Sequence, residues 1–134
     1  MHNNFWKYNI YWLLWLCLIS YLSNAQSDGI PKIPILIFEG ADKVVHAIFY
    51  FVLMLSMRFG FAMQNTFPLL QIKSYIYPFG FSILWGALME LSQLLVFTYR
   101  TADLKDLLAN TLGAFVGLIL SFFGTKLIKL LKLN

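Results

Sequence analysis

The sequence predicts an all-α fold: a small transmembrane bundle of four helices with both termini cytoplasmic, forming one integral membrane domain over residues 1–134. Two observations predict it. Hydrophobic residues make up 60% of the chain and charged residues only 12%, about half the share found in a soluble domain; mean hydropathy is +0.71. In addition, four stretches are apolar over nearly the ~20 residues a helix needs to cross a hydrocarbon core. Backbone groups in lipid must be satisfied within their own segment, which selects helix over strand. The net charge of +4 comes from scattered basic residues between apolar runs, so membrane lipids are the expected surroundings and no nucleic-acid partner is.

The first stretch runs from about residue 5 to 22 and carries Trp6, Tyr8, Tyr11, Trp12 and Trp15, side chains suited to an interfacial belt. It has a second reading: Lys7, an apolar run and Ser23-Asn24-Ala25 before Gln26 also fit a signal peptide with its cleavage site. The second runs from about 44 to 63, interrupted by His46, Ser56 and Arg58. The third runs from about 75 to 97, with Pro78 near its start and Glu90 and Gln93 in its last third. The fourth runs from about 107 to 123. Cys17 has no second cysteine to pair with and reads as a small hydrophobe.

Lysine and arginine set the orientation. With the N-terminus inside, Lys7, Arg58, Lys73, Lys126, Lys129 and Lys132 lie on the cytoplasmic side, and Lys32, Lys43, Arg100 and Lys105 outside. Asp28, Glu39, Asp42, Asp103 and Asp106 then fall in the two outer connectors. The C-terminal Lys126, Lys129 and Lys132 between leucines would lie well against an anionic inner leaflet.

Polar residues gather at the outer ends of three helices. Asp42 and His46 are four apart and share a face; Asp42 also reads as a helix N-cap. Glu90 sits roughly 10 Å below the outer end at ~1.5 Å per residue, a depth at which carboxylates face the bundle interior and find partners. Gln93 shares its face. Arg100, Asp103, Asp106 and Asn110 follow, Asp103 and Asp106 having the spacing of a capping arrangement. Gly113 and Gly117 form a small-xxx-small face for helix packing, within the chain or in an oligomer. The expected binding site is Asp42, His46, Glu90, Gln93, Arg100, Asp106 and Asn110, with Lys43 and Asp103 at its rim and Glu90 paired with Arg100 or His46. One histidine among oxygens favours no particular metal, so neither a metal site nor a cofactor is expected. A channel is disfavoured because the cytoplasmic half shows no matching polar residues.

At these positions the chain resembles the VanZ-like family of bacterial membrane proteins. The resemblance rests on Asp42-Lys43-x-x-His46 with Tyr50, Glu90-x-x-Gln93, Arg100, Asp103, Asp106-x-x-x-Asn110-Thr111-x-Gly113 and Gly117. It covers about residues 41 to 117. The family often has proline before the arginine, where Phe97-Thr98-Tyr99 stands here. The resemblance implies a multi-pass protein of the bacterial inner membrane acting at the cell envelope. It implies a role linked to resistance against teicoplanin-type glycopeptides; the acidic mouth above the buried polar set suggests, as the ligand, a lipid, a lipid-linked wall precursor or an amphiphilic antibiotic. An intramembrane enzyme using Glu90 or His46 as general base is the alternative. It lacks a nucleophile elbow, a metal-binding helix or a glycine loop for phosphate, so the expectation leans away from catalysis.

Overall fold

A computed structural model describes residues 4–24, 40–96 and 103–131. Its elements are α1 (Phe5–Asn24), α2 (Ala41–Met63), α3 (Pro68–Ile72), α4 (Ile76–Val96) and α5 (Leu104–Leu131). The fold is all-α, with no strand among the described residues. The four long helices match the four apolar stretches, with bounds shifted by three residues at most except that α5 runs on to Leu131, well past the expected end at 123. The short α3 was not expected: it lies in the connector between the second and third apolar stretches.

Local chemistry fixes the ends of α2. Gly40, at φ 84°, makes the left-handed turn before it, a conformation that costs glycine little. Its carbonyl accepts the Lys43 and Val44 N–H groups. The N-cap is therefore Gly40 and not Asp42, which sits in the first turn and makes no capping bond. At the other end, fully buried Gln64 organises the turn. Its Oε1 accepts the Thr66 and Phe67 N–H groups, and its Nε2 donates to the Phe67 carbonyl. Pro68 then opens α3, where a missing N–H costs nothing.

Helix α2 is the centre of the bundle, touching α1, α3, α4 and α5. It runs parallel to α5: His46 meets Asn110, and Arg58 meets Thr125. The small face of α5 makes that contact close. A Cβ on Gly113 would fall on the Ala47 carbonyl oxygen, and one on Gly117 would lie 3.1 Å from Met54 Cγ and the Phe51 oxygen. Ala114 beside them is fully buried. The two glycines thus do the packing expected of them, against α2 of the same chain.

Helix α1 runs antiparallel to α2 and parallel to α4. Buried Asn9 donates to the Gly60 carbonyl and accepts from the Trp12 indole at 2.7 Å. Trp15 Nε1 donates to the Phe49 carbonyl, and Trp85 Nε1 to Ser20 Oγ. Trp12 and Ile19 join Tyr50, Leu53, Met54, Met57 and Phe61 in one hydrophobic core. The segment that also reads as a signal peptide is therefore a structural member of the bundle. Ala25 and Gln26 of the cleavage motif lie outside the described residues.

The outward surface is apolar. Leu84, Leu88, Leu91, Leu95, Leu108, Leu112, Phe115 and Phe123 are exposed, and α2 and α5 are each long and apolar enough to cross a membrane. A hydrophobic exterior wrapped around buried asparagine, glutamine, histidine and glutamate suits lipid as the solvent.

Candidate functional site

One end of the bundle collects the last turns of α1 and α4 and the first turns of α2 and α5. Lys43 is the hub of its outer layer. Its ammonium lies 2.7 Å from Asp42 Oδ2, 3.3 Å from Asp106 Oδ1 and 3.5 Å from Asp103 Oδ2. Asp42 and Asp103 stay open to the surroundings while Asp106 is mostly covered, with side-chain exposures of 57%, 42% and 15%. Lys43, expected at the rim, is central. Asp42, expected in the binding set, is its most exposed member and accepts from Lys43.

Asp103 caps α5: its Oδ1 accepts the Lys105 N–H at 2.8 Å, and its carbonyl accepts from Asp106 and Leu107. The Lys105 N–H holds the Asp103 carboxyl below the usual carboxylate range, and nearby Lys43 reinforces it. In a reciprocal capping box Asp106 would reach back to the Asp103 N–H. That N–H instead donates across the bundle to Glu90 Oε2 at 3.2 Å. Asp106 is thereby left facing Lys43 and His46.

A buried layer lies beneath. His46, one turn into α2, donates from Nδ1 to Asn110 Oδ1 at 3.0 Å, and its Nε2 stands 3.9 Å from Asp106 Oδ2. The second distance is too long for a hydrogen bond and becomes an ion pair when the imidazole is protonated. Tyr50, one turn further along α2, is 1% exposed and within electrostatic reach of Glu90. Gly86, one turn before Glu90, brings α4 close. A Cβ there would meet Asn110 at 3.3 Å and the Tyr50 ring at 3.4 Å.

The binding residues expected from sequence thus divide. His46, Glu90, Asp106 and Asn110 come together with Lys43 and Asp103. Gln93 does not join them. It is buried, but its Nε2 donates to the Ser23 carbonyl of α1 at 2.9 Å, tying α4 to α1. Glu90 meets Asp103, in place of the expected His46. Its other expected partner, Arg100, lies outside the described residues, as do Asp28, Lys32 and Glu39. Tyr50 and Gly86 were absent from the expected set. Tyr50's spacing of four from His46 on one face was the signal for it, while Gly86 carried none.

Several polar atoms in this layer are buried without a hydrogen-bond partner among the described residues: Tyr50 Oη, Glu90 Oε1, Asn110 Nδ2 and Asp106 Oδ1. Asp106 Oδ1 still has its ion pair with Lys43. Unmet groups of this kind cost free energy, about 1–3 kcal/mol each, and buried polar groups in folded proteins are nearly always paired. Among the described residues no group of His, Cys, Asp and Glu could hold a metal ion.

The opposite end holds features the sequence reading did not foresee. Arg58 Nη2 donates to Tyr75 Oη at 2.7 Å and to Thr125 Oγ1 at 2.8 Å, with the guanidinium over the Tyr75 ring. That half of the bundle therefore does contain polar partners. An apolar recess of about 440 Å³, lined by Met57, Phe61, Leu70, Ile76, Tyr77, Gly80 and Phe81, lies there too, away from the polar cluster.

Fold, apolar exterior and a charged mouth over buried unmet polar atoms define an all-α membrane protein. The VanZ/LLP1 family model matches residues 8–127, which takes in α2, α3 and α4 whole and most of α1 and α5, and the chain belongs to that family. No curated protein and no solved structure matches it.

Proposed function

We propose that this chain is a multi-pass protein of the bacterial cytoplasmic membrane, with four spanning helices and both termini inside. It acts at the outer leaflet, where the cluster around Lys43, His46, Glu90, Asp106 and Asn110 holds the polar part of an envelope amphiphile. The candidates are a lipid, a lipid-linked wall precursor or a glycopeptide antibiotic. The role in the cell is resistance to glycopeptides of the teicoplanin type, the property that gives the family its name. One observation carries the reading: donors and acceptors from three helices converge at one end and are left unsatisfied. A purely structural polar knot would be selected to saturate itself. The orientation is supported by the lysine and arginine bias between the two ends.

The test is teicoplanin susceptibility of cells carrying wild type, Glu90→Gln or Arg100→Gln, with membrane protein levels followed by immunoblot. Both variants are expected at wild-type levels with the protective phenotype lost. Loss of the protein itself from the membrane would make the cluster structural and overturn the reading.

A further inference from the structure

The charge and hydrogen-bonding balance of the cluster narrows what it accepts, given the reading of it as a ligand site. Among the described residues, the carboxylates of Asp42, Asp103, Asp106 and Glu90 stand against the ammoniums of Lys43 and Lys105. Lys43 is shared among three of the acids, and Lys105 is exposed. Glu90 is the deepest acid and has no cation within ion-pair distance among those residues, only the Asp103 N–H on Oε2. Against the described residues alone, an anion such as a lipid phosphate would meet more negative than positive charge, in a medium of low dielectric. A cation would relieve it.

The unmet atoms specify more than a sign of charge. Glu90 Oε1 can only accept when ionised, Tyr50 Oη can accept or donate, and Asn110 Nδ2 can only donate. Each of these residues is more than nine-tenths buried, and the contacts around Gly86 place Asn110 and Tyr50 side by side, one turn from Glu90. Two acceptors beside one donor suit an N–H-bearing cation with an oxygen nearby. A quaternary ammonium has no N–H to give Glu90 and Tyr50, and a neutral polyol leaves the charge uncompensated.

We propose that Tyr50, Glu90 and Asn110 receive a primary ammonium: Glu90 Oε1 and Tyr50 Oη accept its N–H groups, and Asn110 Nδ2 donates to an adjacent ligand oxygen. An ethanolamine lipid headgroup and an amino sugar both carry this chemistry.

The experiment is thermal unfolding of the purified full chain in detergent, followed by its tryptophan fluorescence. The lipid probes are short-chain phosphatidylethanolamine, phosphatidylcholine and phosphatidylglycerol; glucosamine and N-acetylglucosamine are the soluble ones. Phosphatidylethanolamine is expected to raise Tm by about 5 °C near saturation, with no rise from phosphatidylcholine or phosphatidylglycerol. A rise with glucosamine but not N-acetylglucosamine shows that the ammonium is read from a free sugar as well. A rise confined to the ethanolamine lipid assigns the site to the lipid source. Tyr50→Phe and Glu90→Gln should abolish the rise while keeping the unliganded Tm at or above wild type, because the first removes an unmet buried hydroxyl and the second removes a buried charge. Glutamine retains an acceptor for the Asp103 N–H. Equal rises from all three lipids, persistence of the rise in either variant, or no rise with either amine overturns the proposal. A phosphatidylglycerol rise that Glu90→Gln abolishes overturns the ammonium but keeps the outer-leaflet site. A lowered Tm in both variants with no probe effect removes both.

Discussion

Asn110 does more at the single-residue scale than its small side chain suggests. It accepts from His46 at 3.0 Å, fixes which imidazole nitrogen carries the proton, and sits against Gly86 on the far helix. Asn110→Ala is expected to destabilise the protein by about 1–3 kcal/mol, because it strands a buried imidazole N–H. Thr111→Ala, which removes only a half-buried hydroxyl bonded to the Leu107 carbonyl of its own helix, should stay within about 0.5 kcal/mol of wild type. Thermal unfolding in one detergent compares the two, and equal losses would show that the His46 contact contributes nothing. At this scale the sequence told much: residue type and depth alone pointed to His46, Glu90, Asp106 and Asn110. It misjudged Lys43, because a lysine among three acids becomes a hub only once α5 brings Asp103 and Asp106 beside it. It also misjudged Gln93. Three residues advance a helix by about 300°, leaving two side chains roughly 60° apart, enough for Glu90 to face α5 while Gln93 faces α1.

Among the elements, α2 and α5 form the scaffold on which the site depends. Their parallel contact needs bare backbone at Gly113, where the neighbour is the Ala47 carbonyl and cannot move aside as a flexible side chain can. Gly113→Ala should therefore cost about 1–3 kcal/mol or more through overpacking. Gly117→Ala, whose nearest contact is Met54 Cγ at 3.1 Å, should cost less. Gly80→Ala, with nothing within 4 Å, should be neutral or stabilise by up to about 1 kcal/mol through helix propensity. The order of the three midpoints in detergent checks the geometry, and a Gly80→Ala loss as large as that of Gly113→Ala would contradict it. The small-xxx-small spacing showed that some helix must come close here. Which helix, and whether it belonged to the same chain, could not be read from spacing, because glycine faces carry no label for their partner.

For the molecule as a whole, the contacts alternate: α1 and α4 point one way, α2 and α5 the other, so the polar mouth and the Arg58–Tyr75–Thr125 group mark opposite ends. With Cys17→Ser as background, Lys105→Cys should react with a membrane-impermeant maleimide on intact cells. Asn65→Cys should react only after permeabilisation. The reverse pattern would invert the proposed topology and move the site to the cytoplasmic leaflet. The sequence by itself determined that the chain is helical and apolar outside, and that Asp42, Asp103, Asp106 and the buried Glu90 belong to one end. Those properties are local, since a backbone in lipid must bond within its own segment and hydropathy is a property of each stretch. Only the tertiary structure decided that α1 is bonded into the core, that Asp103 caps α5 while its N–H crosses to Glu90, and that Tyr50, Glu90 and Asn110 are left with atoms unmet. Each of these depends on how helices are rotated and paired, and that is fixed by interhelical packing, which no single stretch encodes.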